Sequence, residues 1–235
     1  MPGSDSTTTT PFNNTPHIEG FPHLPLNAYS LTNRKPHYGV GINDACYQVK
    51  PKVGGKRVSC RFYETWHHMV QRCYSARCLV RRPSYRNCTV APEWLSSFMA
   101  FRAWMIQQDW RGKQLDKDIL HPGNKIYSSE TCIFVTHEIN NLLSASDATR
   151  GKYPQGVSWE EGRQKYQAKM QVHGTCKNLG RYSTAEEASS AYRNAKAAHI
   201  RAIAGEQNQP LKSALYRWGN IYDPHRITGF DWVLT

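Results

Sequence analysis

Lys165, Gln167, Lys169 and Gln171 stand at every second position of one stretch. In an extended chain residues two apart face the same way, so these four side chains project together. Gln155, Ser158 and Arg163 precede them and Asn178 follows. Lys and Arg neutralise phosphate, whereas Gln, Asn and Arg pair bidentately with purine edges in the major groove. The chemistry this set offers is recognition of duplex DNA. A solvated polar face has the same alternation, and the pattern alone favours that plainer reading slightly.

Three short strand-like runs and a helix must position these residues. The first run is Gly156 to Trp159, followed by a break near Gly162. The second is Lys165 to Val172, where Tyr166, Ala168, Met170 and Val172 form the apolar half of the alternation. That period of two predicts a half-buried strand. After His173-Gly174 the run Lys177 to Tyr182 brings the chain back. A helix opens at Ser183-Thr184, and Thr184 and Glu187 have the spacing of a capping box. Ala188, Ala191, Tyr192, Ala195, Ala198 and Ala202 then fall at helical spacing, a small-residue stripe suited to lying close on a sheet.

The segments RGKYPQGV, KYQAKMQV, LGRYST and EEASSAY, all between Arg150 and Ala204, occur in the order seen in the AP2 DNA-binding domain of plant ethylene-response factors, and the stretch resembles that domain. The resemblance implies a three-stranded antiparallel sheet in the major groove with a helix packed behind it. By position it makes Gln155, Ser158, Arg163, Lys165, Lys169, Gln171 and Asn178 the DNA-facing residues. The chain departs from the plant pattern, in which several of these positions are Arg or Trp. The docking mode carries over and the base preference does not.

Gln114 to Leu143 is the second stretch with chemistry. Leu115 to Leu120 reads as a strand, His121-Pro122-Gly123-Asn124 as a turn and Cys132 to Val135 as a second strand. Thr136 reads as the cap of a helix from about His137 to Leu143. Strand, loop, strand and helix in so short a span resemble the ββα-metal finger of HNH endonucleases, particularly the phage homing type. With RFYETWHHMVQRCY, YRNCTVAPEW, LDKDI and the AP2-like segment, the layout from about Tyr38 to Ala204 resembles a phage-encoded HNH/AP2 family. That family's nucleases hold one divalent ion, Mg²⁺ or Mn²⁺, beside the scissile phosphate, where it stabilises transition-state charge. By position Asp116 is the metal carboxylate, Asn140 the second ligand and Asn124 the central Asn that braces the loop. The resemblance implies a site-specific homing-type endonuclease acting on double-stranded DNA in the cytoplasm of a host cell.

The match fails at the general base. The family has Asp-His where this chain has Asp116-Lys117. A Lys near its ordinary pKa of about 10.4 is protonated at neutral pH and is a poor base. Asp118, two residues beyond Asp116, and His121 in the loop are the other candidates for that role. The alternative is a degenerate, inactive finger in a DNA-binding protein of regulatory or structural use, with Asp116 and Asp118 paired to nearby cations. Structural zinc is disfavoured. Cys73, Cys78, Cys88 and Cys132 include no Cys-x-x-Cys pair, and the adjacent His67 and His68 diverge on a helix.

Composition bounds the rest. The chain has 235 residues, with 30 Lys+Arg against 18 Asp+Glu and a formal net charge of +12, which suits nucleic acid or another anionic surface. No apolar run spans a bilayer and no signal-peptide core is present, so membrane binding is the weaker reading. Seven Cys, an odd number without dense spacing, suit a reduced cytosolic setting. The expected class is α+β. Residues 1–35 read as a flexible arm, 36–147 as an HNH-like finger module, 148–204 as the AP2-like domain and 205–235 as a tail. Within the module His37 to Ile42 reads as extended and Gly54-Gly55 as a turn. One helix carries Trp66, Met69, Val70 and Cys73, and a second, with Pro92 in its first turn, carries Trp94, Phe98, Phe101 and Met105. Both stripes read as core. Between them lie Arg77, Arg81, Arg82 and Arg86, interspersed with Tyr74 and Tyr85, which form either a solvated loop or a set of phosphate contacts. The tail has a possible short helix around Leu211 to Trp218, and its Trp218, Ile221, Phe230, Trp232 and Val233 are too apolar for free coil.

Overall fold

A computed structural model describes residues 20–144 and 152–223. The arm before residue 20, the Arg150-Gly151 junction and Phe230, Trp232 and Val233 lie outside the described residues. The protein is mixed α and β, divided into two compact units. One takes the chain up to Arg111 together with Lys125–Cys132. The other takes Gly112–Asn124 and the chain from Ile133 onward. The finger-like stretch is thus shared between the units: Gln114–Asp116 and Ile133–Val135 fall with the three-stranded sheet, and Ile126–Tyr127 with the helices before them.

In the first unit, residues 20–35 are not a free arm. They form helix α1 (Ala28–Thr32), capped by Asn27, and Arg34 donates to the carbonyls of Asn43 (2.7 Å) and Ala45 (2.6 Å). His37 to Gly41 is a tight turn rather than an extended segment. Its ends bond to each other (2.8 and 3.0 Å), and Tyr38 and Gly39 take positive φ of 51° and 79°. Strands β1 (Lys52–Val53) and β2 (Lys56–Arg57) pair around Gly54-Gly55, whose φ of +56° and +81° is what a two-residue hairpin requires.

Helix α2 (Arg61–Tyr74) buries Trp66, Met69, Val70 and Cys73, as its spacing predicts. A short helix α3 (Ala76–Arg81) follows at once. Strand β3 (Thr89–Val90) precedes helices α4 (Pro92–Ser96) and α5 (Phe98–Ile106). The single helix expected here is two. Asp44 accepts from the Ser97 hydroxyl (2.6 Å) and the Met99 amide (2.9 Å), and Ser97 caps α5, so the chain turns extended at Ser97. The aromatic stripe is core all the same. Trp66 donates from Nε1 to the Trp94 carbonyl (2.6 Å), and Phe98, Phe101 and Met105 are fully buried.

In the second unit β4 (Gln114–Asp116) pairs antiparallel with β6 (Ile133–Val135). Between them in sequence, β5 (Ile126–Tyr127) pairs in parallel with β3 inside the first unit. The expected strand to Leu120 stops at Asp116 because the Asp116 Oδ1 accepts from the amides of Asp118 (2.8 Å) and Ile119 (2.9 Å), which bends the backbone. Helix α6 (His137–Leu143) starts at its Thr136 cap. Strands β7 (Val157–Glu160), β8 (Lys165–Val172) and β9 (Thr175–Tyr182) form an antiparallel sheet in that order. Helix α7 (Ala185–Gly205) opens on a complete Thr184–Glu187 capping box. Helix α8 (Leu211–Tyr222) answers where the tail goes: Ile200 and Ala204 of α7 and Ala214 and Leu215 of α8 share one core with Ile119, Val135 and Ile139. Trp218 and Arg217 donate to the carbonyls of Ile119 (3.0 Å) and Leu120 (2.7 Å).

Candidate nucleic-acid interface

The sheet presents one face to α7 and one to solvent. Met170 and Val172 of β8 pack on Tyr192 of α7, while Lys165, Lys169 and Gln171 are exposed on the other side. The close approach of helix and strand depends on Gly156, just before β7. It holds φ +77°, and a Cβ there would overlap the Tyr192 ring. Of the expected stripe on α7, Ala188 and Tyr192 are buried, but Ala198 and Ala202 are exposed. Lys196, Ala197 and Ile200 are buried instead, because α8 covers that side.

Register places the polar face in rows. Ser158, Gln167 and Arg181 form one row, Lys169 and Asn178 the next, and Gln171 and Cys176 the last. Ser158, Lys165, Lys169, Gln171, Cys176 and Asn178 are exposed. Gln167 departs from expectation: in the central row between Ser158 and Arg181 it is 7% exposed, too covered to meet a base edge. Gln155 is half-buried, and with Lys169 and Gln171 it lines a groove of about 740 Å³. Lys165 donates to the Ser183 hydroxyl (3.0 Å). The Asn178 side-chain Oδ1 accepts from the Gly180 amide (3.2 Å), so this side chain braces its own strand.

Arg181 is the residue that strand periodicity misses. Asn178 and Arg181 are three apart and in a regular strand would face opposite ways. An irregularity in register opposite Ala168/Lys169 inserts one extra residue in β9, which brings Arg181 round to the polar side of the sheet. Gly180, with φ +128°, is the only trace of it in the sequence. Arg181 then meets Glu160 (2.5 Å), which also binds Arg163. The hydrogen bond from Arg181, followed by that from Arg163, holds the Glu160 carboxyl below its ordinary range. Two guanidinium groups share one carboxylate, leaving a net positive charge at this corner.

The finger-like stretch forms a second cluster in the same unit. Gln114, Asp116 and Asp118 are half-buried, while Leu115 and Lys117 between them are buried. Burial, and then the neighbouring Asp118 carboxylate, push the Asp116 carboxyl up to about 6. Lys117, 6% exposed, donates from Nζ to Asp118 (3.0 Å) and to the Asn124 carbonyl (3.0 Å). Asn124 donates back to the Lys117 carbonyl (2.6 Å). The loop is thereby closed by a reciprocal Lys117–Asn124 pair, in which the lysine serves as a strut. His121 is exposed on the turn, where its carbonyl accepts from the Asn124 amide (3.0 Å). Asn140, one turn into α6, donates to the Gln114 side chain (2.6 Å), two residues before Asp116.

Among the described residues no three His, Cys, Asp or Glu side chains gather as a metal site. The oxygen donors at the finger are the Asp116 carboxylate, the Asp118 carboxylate that Lys117 also contacts, and the Gln114 amide oxygen that accepts from Asn140. An all-oxygen set of this kind suits Mg²⁺ or Mn²⁺ in its chemistry. Of the thiols, Cys60, Cys73, Cys88 and Cys132 are buried, Cys46 and Cys78 half-buried, and Cys176 alone among the described residues is exposed.

In the first unit Arg77 and Arg81 lie on α3 rather than in a loop, and Arg77, Arg81, Arg82 and Arg86 are all exposed. The tyrosines between them are structural. The Tyr74 hydroxyl accepts from the Val90 amide (3.2 Å), and the Tyr85 ring lies against the Arg72 guanidinium (5.7 Å). No helix of the described residues is long and apolar enough to cross a membrane. No protein-family model, curated protein or solved structure matches the chain.

Proposed function

We propose that the protein binds double-stranded DNA through the solvent face of its three-stranded sheet, in the manner of the AP2-like domain that its sequence resembles. The observation that carries this reading is the face itself. Lys165, Lys169, Arg163 and Arg181 surround Ser158, Gln171 and Asn178, with Glu160 among them, Glu161 exposed near Arg163 and Glu138 in the groove that Lys169 and Gln171 line. The cations would sit on phosphates, and Gln171, with no partner among the described residues, would meet a base edge. A protein-interaction sheet would need an apolar centre, whereas the exposed residues here are polar.

Cys176 offers a direct test, because its exposed thiol shares a row with Gln171. Duplex DNA should slow alkylation of Cys176 by a small maleimide while leaving the thiols of the denatured chain equally reactive. Unchanged alkylation at saturating duplex would remove the sheet as the interface.

A second reading, phosphodiester hydrolysis at the finger, is favoured by the adjacent carboxylates of Asp116 and Asp118. Asp116, with Asn140 on α6, would hold Mg²⁺ or Mn²⁺, which supplies charge stabilisation at a transferring phosphate. Lys117 is already committed to Asp118 and Asn124, so proton abstraction would fall to Asp118 or His121. Loss of a placed base costs about 10²–10⁴-fold in rate, and the reading is therefore of slow, metal-dependent nicking or none. Nicking of supercoiled plasmid that Asp116→Ala and Asn140→Ala both abolish supports hydrolysis. Intact plasmid across both metals leaves the protein as a DNA binder.

A further inference from the structure

The first unit contains a groove of about 500 Å³ whose walls come from α2 and α3. His68, Gln71 and Arg72 supply one side, and Arg77, Arg81 and Arg82 the other. Ser75 makes the corner: it ends α2, and its Oγ accepts from the Cys78 amide (3.4 Å) to start α3. No carboxylate lines the groove.

Folding does not account for this arrangement. Helix α3 has no fully buried side chain, and only Cys78 and Leu79 on it are half-buried. Arg77 and Arg81 are four residues apart on it, a like-charge spacing that destabilises a helix by about 0.2–0.5 kcal/mol. The guanidinium groups of Arg77, Arg81 and Arg82 have no hydrogen-bond or ion-pair partner among the described residues. Arg72, by contrast, is held in place: the rings of Tyr85 and Tyr127 each lie 5.7 Å from its guanidinium. The groove's own field is felt by His68, whose pKa is lowered by burial first and by Arg72 next. Four guanidinium groups on a concave surface, one of them pre-positioned, fit an anion that can accept several forked hydrogen bonds at once, and phosphate has that geometry.

The lining also says which phosphate compound fits. A mononucleotide site needs a surface on which the base can stack. Here Tyr85 and Tyr127 lie against Arg72 outside the lining, and His68 carries the one ring among the residues that line the groove. Four arginines dominate the lining, so the groove suits a run of phosphates, contacts that position a duplex and carry no sequence information. We propose that it is a second nucleic-acid contact, a clamp for the phosphodiester backbone that works without sequence preference. It lies in the other unit from the sheet, and it deepens the DNA-binding reading without depending on the sheet being the reader.

The test uses the full chain and its Arg77→Ala/Arg81→Ala variant, measured against duplexes of several unrelated sequences over a range of salt. Both residues are exposed on a helix with no buried side chain, and an unchanged melting temperature checks the fold. The clamp predicts weaker binding to every sequence and a salt slope shallower by about 2, one for each lost phosphate contact. Arg77→Lys/Arg81→Lys should recover much of the slope. Unchanged affinity and slope in the alanine variant would overturn the proposal. So would tight, Arg77- and Arg81-dependent binding of tripolyphosphate in a protein whose DNA affinity the substitutions leave intact, since the groove would then take a free polyphosphate. A Lys165→Ala/Lys169→Ala variant separates the two claims. If it binds DNA like the wild type while the arginine variant does not, the sheet reading fails and the clamp stands.

Discussion

Asp116 carries two duties that pull in opposite directions. Its Oδ1 turns the chain by accepting from the amides of Asp118 and Ile119, and its charge sits beside that of Asp118. Burial and that neighbour raise its pKa from 3.8 to about 6. The folded state therefore binds the proton more tightly than the unfolded chain does. The resulting stabilisation is fully present below pH 3.8 and is lost as the pH rises through about 6. Asn at this position keeps the acceptor and lacks the charge. Asp116→Asn should match the wild type near pH 3.5 and exceed it by about 1–2 kcal/mol at pH 7, less than the whole shift because the side chain keeps some solvent. Denaturant unfolding at the two pH values measures this. Adding Mn²⁺ at pH 7 should stabilise the wild type and leave Asp116→Asn unmoved, if the carboxylates hold the ion. A variant that gains nothing at pH 7 would show that Asp116 is not held in a repulsive pair.

At the scale of elements, the sheet's relation to α7 turns on Gly156. Any side chain there meets the Tyr192 ring, and the positive φ adds strain. Gly156→Ala should cost about 2–4 kcal/mol, read as a drop in melting temperature, and Gly162→Ala, where a Cβ meets nothing within 4 Å, should cost far less. What the sequence made legible divides along the same lines. Strand β8, helix α6 and the start of α7 follow from two-residue alternation and from Thr caps, which are local signals. The register irregularity that turns Arg181 toward Glu160 depends on pairing across strands, and periodicity along β9 points the wrong way. Burial of Lys196 was equally hidden. The stripe of small residues suggested one contact face for α7, but α8 adds a second, and there the Lys196 Nζ lies 4.3 Å from the Tyr222 ring. The break at Ser97 comes from Asp44, distant in sequence. In the finger, Lys117 was visible as a departure from an Asp-His pair. Its reciprocal bonds with Asn124, which give that lysine a structural use, appear only once the loop is closed.

At the scale of the whole molecule, a net charge of +12 is shared between two kinds of basic surface. One is a sheet face with amides among its cations. The other is a groove in a different unit whose lining is dominated by arginines. Such a division would let one unit select a sequence while the other adds affinity everywhere, as phosphate contacts do. The most direct measurement of the central claim is the salt dependence of duplex binding by the wild type and by Lys165→Ala/Lys169→Ala. The sheet as DNA interface predicts that log affinity falls linearly with log salt, and that the double substitution lowers affinity for every duplex and makes the slope shallower by about 2. A wild-type affinity that does not respond to salt, or a double variant with unaltered slope, would contradict it.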